Sequence, residues 1–120
     1  MDKMMLESGR KLAERMGELM SVGDMDALVE MYAADAAIVL YSRVASGHDQ
    51  IRELLTKSLA SHGEYVIVSI DQFRDTGDLV MWDATVETSA GLLLTTHIVV
   101  LGADGLIRHH VPGIRGYWGM

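Results

Sequence analysis

From Tyr65 onward the chain reads as four apolar runs: Tyr65 to Phe73, Leu79 to Thr88, Leu92 to Leu101 and Leu106 to Pro112. Only Asp75-Thr76-Gly77-Asp78, Ser89-Ala90-Gly91 and Gly102-Ala103-Asp104-Gly105 separate them. Parallel neighbours need crossovers of about a dozen residues or more, so connections this short permit only antiparallel hairpins. The second half is therefore a meander, and the first half must supply the layer that covers its apolar face.

That first half has helical spacing. Met5, Gly9, Leu12, Met16, Leu19 and Met20 recur every three or four residues with charges between them, which predicts an amphipathic helix from about residue 4 to 20. Gly23 stops it, and Asp24 caps a short second helix with Leu28, Met31 and Tyr32 on one side. Ala36 to Tyr41 reads as a strand, Ser42 to Gly47 as a loop, and His48 to Ala60 as a third helix through Ile51, Leu54, Leu55 and Leu59. The 120 residues suit one α+β domain, residues 1 to 120, whose helices pack on an antiparallel sheet. Nothing local assigns a role to the tail Ile114 to Met120.

Charge narrows the partners. A net charge of -7 leaves no positive field to collect phosphates, so neither nucleic acid nor an anionic membrane surface is expected. With no cysteine there is no disulfide, thiol nucleophile or thiolate metal site. Charges interrupt Met1 to Met20, and Thr88 to Ala103 falls short of the ~20 residues a spanning helix needs, so a cytoplasmic protein is expected. No glycine-rich phosphate cradle exists, and no cofactor is expected.

Several segments together carry a resemblance: Gly23-Asp24-Met25-Asp26-Ala27-Leu28, Tyr32-Ala33-Ala34-Asp35-Ala36, Ser46-Gly47 before Ile51-Arg52-Glu53, and Asp104-Gly105-Leu106-Ile107. In order and spacing, from about residue 8 to 113, the chain resembles the ketosteroid-isomerase-like and SnoaL-like families of the NTF2-like superfamily. The resemblance implies a cone: a curved antiparallel sheet wrapped around N-terminal helices, enclosing an apolar pocket. It does not imply one chemistry, because such folds host isomerases, dehydratases, hydrolases, cyclases and binding domains. Where ketosteroid isomerase places a tyrosine, an aspartate base and an acid, this chain has Met16, Leu40 and His97. Where limonene epoxide hydrolases place an Arg and two Asp, it has Ala84, Val86 and Pro112. Neither mechanism is expected unaltered.

A four-residue turn from Gly102 to Gly105 sets Leu101 against Leu106 and hence His97 directly opposite His110. Such partners share a face with β-carbons about 4.5–5.5 Å apart, so the imidazoles meet unless a bulge shifts the register. Both faces of this hairpin are apolar; the resemblance turns His97 inward. A two-residue turn at Ala90-Gly91 sets Ala84 against His97. Trp82, Ala84 and Val86 alternate with Asp83, Thr85 and Glu87, so the first three face the core. The implied pocket wall is Met16, Met20, Leu40, Leu54, Trp82, Ala84, Val86 and Pro112.

His97 and His110 are the candidate acid and base, because imidazole titrates near neutrality and a neighbouring ring splits the two titrations. The competing reading is a satisfied structural pair. A two-histidine metal site lacks a third ligand, so no metal is expected. Asp35 is read as a local brace, Tyr32 as helix packing, and Tyr41 and Arg43 as the pocket rim. The leading expectation is an enzyme moving protons on a hydrophobic, oxygen-bearing small molecule, as an isomerase, dehydratase or related lyase. A non-catalytic ligand-binding or dimerisation domain is the alternative, and a limonene-epoxide-hydrolase-like hydrolase the third reading. An outer row of Thr96, Ile98, Val100, Ile107 and Val111 predicts a homodimer.

Overall fold

A computed structural model describes residues 3–119, with side chains from 9 to 118. Residues 1, 2 and 120 and the side chain of Met5 lie outside the described residues. Helix α1 spans Lys3–Val22, α2 Met25–Glu30 and α3 Gly47–His62; the strands are β1 Tyr32–Val39, β2 Val44–Ser46, β3 Tyr65–Asp75, β4 Leu79–Thr88, β5 Gly91–Leu101 and β6 Ile107–Gly119. The strand order is β2-β1-β6-β5-β4-β3. The four C-terminal strands form the expected antiparallel meander, while β1 runs parallel to β6, so the curved sheet is mixed. Among the described residues no helix is long and apolar enough to cross a membrane.

The helix boundaries follow from their caps. Gly23 takes φ +74 after α1, a conformation cheap only without a β-carbon, and Asp24 Oδ1 accepts from Ala27 N–H at 3.1 Å to start α2. α2 then ends at Glu30, earlier than its periodicity suggests. Tyr32 already belongs to β1, because Ile107 N–H donates to Met31 C=O at 3.0 Å and draws the chain into the sheet. The alanine-rich stretch after Tyr32 carries little strand propensity, and pairing with β6 overrides it. Part of the expected loop forms the short β2, and the tail, through Gly119, prolongs β6 against β5.

The core lies between the helices and the inner face of the sheet. Along β4 Val80, Trp82, Ala84 and Val86 are buried, the expected period of two. Helix α1 crosses β3 closely: a β-carbon on Gly17 would sit 2.6 Å from Ile67 Cγ1, and one on Gly9 would overlap the Asp75 carboxylate.

Both turn predictions needed correction. The β4–β5 turn is Ser89-Ala90, with Thr88 paired to Gly91, because Thr88 Oγ1 donates to Gly91 C=O at 2.9 Å and accepts from Ala90 N–H at 3.2 Å. His97 therefore pairs with Trp82, and Ala84 with Thr95. Between β5 and β6 the loop is one residue longer than expected, and the register shifts again between Leu101 and Val100. His97 pairs with Pro112 and His110 with Val99. Two single-residue shifts restore the original face, so the histidines remain on one side as diagonal neighbours. The same irregularity turns Ile107 inward, where it is fully buried, and removes it from the predicted outer row.

Candidate functional site

The inner surface encloses a cavity of about 150 Å³. Its wall includes Met16, Met20, Leu40, Leu54, Trp82, Ala84 and Pro112 together with His97 and His110. Val86 lies outside the wall: it is fully buried between Ile67 of β3 and Leu93 of β5, further along β4 from His97. Tyr41 and Arg43 are exposed and also outside it. Asp35 is exposed and pairs with Arg108 at 3.2 Å, tying β1 to β6. Asp83 pairs with Arg115 at 3.5 Å.

His97 Nδ1 lies 2.9 Å from His110 Nε2, with ring centroids 5.1 Å apart. Trp82 stacks on His97 at 4.9 Å and 21°, fixing the plane of that ring. Two further residues extend the pair, neither assigned this role from sequence. Tyr32, 1% exposed, places its hydroxyl 2.8 Å from His110 Nδ1, and Thr95 Oγ1 lies 3.1 Å from His97 Nε2. Thr95 was legible in principle, since residues two apart on a strand share a face. Tyr32 was hidden by its helical surroundings; His48 Nε2 donates to its carbonyl at 2.8 Å and anchors it beside the site.

Burial governs the charges. It pushes the His97 imidazole down to about 4, opposed by the negative charge of Asp83. His110 falls well below its usual value, first through burial and then through the neighbouring His97 charge. Burial raises the Tyr32 phenol, with a smaller push from Tyr65. At neutral pH the pair is therefore uncharged, and each ring carries one proton on one nitrogen. Such a ring accepts on one side and donates on the other, so a line of these groups can pass a proton along. Tyr65 and Ser58 add hydroxyls elsewhere in the wall. Among the described residues no three His, Cys, Asp or Glu side chains converge in a way that would hold a metal ion.

No protein-family model matches the sequence, and no curated protein does. Solved structures match the fold over most of the chain. An NTF2-like protein from Burkholderia xenovorans superposes with a TM-score of 0.76 at 15% identity, covering 95% of this chain and 88% of its own. SalBIII, an epoxide hydrolase/cyclase-like enzyme with a role in pyran ring formation in the polyether salinomycin, gives 0.76 at 18% identity, covering 93% and 97%. A de novo designed protein with a curved β-sheet gives 0.77 at 15%, covering 95% and 88%. An enzyme and a design thus share one backbone, so at these identities the likeness carries architecture and not chemistry. What it establishes is that this chain has the NTF2-like fold.

Proposed function

We propose that this protein is a cofactor-independent enzyme that takes a compact apolar molecule bearing an oxygen into its cavity and moves a proton on it through His97 and His110, as an isomerase, dehydratase or related lyase does. The observation that carries this reading is the direct contact of two neutral imidazoles in the wall of a mostly apolar cavity. A group whose proton affinity is this low is a weak base in isolation, so the relevant property is the two-sided ring, which donates and accepts together. A cavity of about 150 Å³ is known to hold benzene, so the volume suits a single small ring rather than a steroid. Hydrolysis of the limonene-epoxide type is less well supported: the one buried carboxylate among the described residues, Asp75, is outside the cavity wall.

One observation favours the alternative, a binding domain without chemistry: all four imidazole nitrogens already have partners inside the protein. The two readings separate in D2O with a panel of six-membered cyclic enones, scored by proton NMR for deuterium uptake and double-bond migration. Binding is followed in parallel by Trp82 emission in a Trp118→Phe background. Uptake that is lost in His97→Gln while binding persists is the expected result. Binding without exchange across the panel leaves the binding-domain reading standing, and absence of binding removes both.

A further inference from the structure

Four hydrogen bonds run in one line through the site. Tyr32 Oη meets His110 Nδ1 at 2.8 Å, His110 Nε2 meets His97 Nδ1 at 2.9 Å, His97 Nε2 meets Thr95 Oγ1 at 3.1 Å, and Thr95 Oγ1 meets the Ala84 carbonyl oxygen at 3.5 Å. A carbonyl only accepts, so the last bond needs the Thr95 proton. Thr95 then accepts from His97 Nε2–H, His97 Nδ1 accepts from His110 Nε2–H, and His110 Nδ1 accepts from the Tyr32 hydroxyl. The phenol, two neutral imidazoles and one alcohol contribute one proton to each of the four bonds. Reversing the line leaves the buried Tyr32 proton without an acceptor in the line, and an unmade bond at a buried group costs about 1–3 kcal/mol, whereas the 3.5 Å contact of Thr95 with Ala84 is too long to add much to the preference.

We infer that the line has this single proton order, that His97 therefore offers an N–H and not a lone pair at Nε2, and that Thr95 holds this N–H until a ligand oxygen replaces it. The cavity then selects ring-sized molecules whose oxygen accepts a hydrogen bond, such as a ketone or a cyclic ether. This rests on the functional reading above only in taking His97 as the ring that meets the ligand. Three features place the exchange there. His97 is the least buried member of the line, whereas Tyr32 and His110 are 1% and 4% exposed. The two bonds at the Thr95 end are the longest, and 3.5 Å lies beyond the usual range for a hydroxyl donor. Directly across from Thr95, Ala84 contributes only a methyl group to the cavity wall.

Nitrogen-15 NMR of the histidine rings reads the proton order directly. Both rings should carry the proton on Nε2 in the ligand-free protein; a proton on Nδ1 of either ring overturns the inference. Binding of cyclohexanone is then compared with methylenecyclohexane, which keeps the ring and shape without the oxygen. The ketone should bind about three- to tenfold more tightly, the worth of one net hydrogen bond, and should shift the His97 Nε2 signal. Thr95→Val removes the internal competitor for that N–H, so it should tighten cyclohexanone by a similar factor and leave methylenecyclohexane unchanged, with Thr95→Ser behaving as the parent. Equal binding of the two ligands, or weaker ketone binding in Thr95→Val, overturns the selectivity whatever the exchange assay shows. A retained ketone preference without proton exchange instead removes the catalytic reading and keeps this one.

Discussion

Tyr32, buried among the core residues, holds the far end of the histidine line from Thr95. Tyr32→Phe keeps the ring packing and deletes the hydroxyl, leaving the buried His110 Nδ1 without a donor. The expected loss is about 1–3 kcal/mol, seen as a lower urea midpoint at unchanged slope. The histidines also make stability depend on pH. Their folded-state proton affinity lies below the ordinary value of 6.5, so between pH 6.5 and about 4 the unfolded chain binds more protons than the folded one. The contribution is fully present above 6.5 and is lost as pH falls through that window, by up to ~1.4 kcal/mol per pH unit for each ring. Urea titrations at stepped pH should show the slope, and His97→Gln should lessen it. That variant also removes the charge that opposes protonation of His110, so ring-proton NMR should find the His110 titration moved upward; an unmoved curve would show that the rings do not sense each other.

At the level of elements, the site depends on how closely α1 approaches β3. Gly17 lines the cavity and allows that approach. For Gly17→Ala two effects compete: helix propensity favours alanine by about 1 kcal/mol, while overpacking a fitted interface costs typically 1–3 kcal/mol. The added carbon would sit 2.6 Å from Ile67 Cγ1, near the base of a branched side chain that cannot swing aside. Strain should win, and thermal melts of Gly17→Ala should show a lower midpoint. A raised midpoint would mean that α1 relaxes away from β3 without cost.

For the molecule as a whole, the outer face of the meander is the unexplained surface. Ile98 pairs with Val111, and Leu92 with Trp118; Val111 and Trp118 are 39% and 61% exposed. A row of this kind on a chain carrying seven excess negative charges is expected to be covered by a second copy through a two-fold contact, in which the same patch serves both partners. Sedimentation at micromolar concentration should give a dimer that tightens with salt as the net-charge repulsion is screened. Val111→Asp should give a monomer with an unchanged circular dichroism spectrum. A parent protein that is monomeric at every salt concentration removes this account of the row.

The sequence by itself determined the layer order. Short turns forced the meander, three- and four-residue spacing placed α1 and α3, and Gly23-Asp24 set the first helix boundary, because each depends on residues close together in the chain. It also put His97 and His110 on one face, although by a wrong register; the two single-residue shifts between β5 and β6 cancelled because side chains alternate with a period of two. Tertiary structure alone decided the rest. Tyr32 joins the site because β6 pulls it out of a helical context, Val86 leaves it because the cavity does not reach along β4 to that position, and Trp82 rather than Ala84 faces His97 because a Thr88 side chain closes its turn one residue early. The direction of the hydrogen-bond line is set by the buried Tyr32 hydroxyl, which only the pairing of β1 with β6 brings to His110.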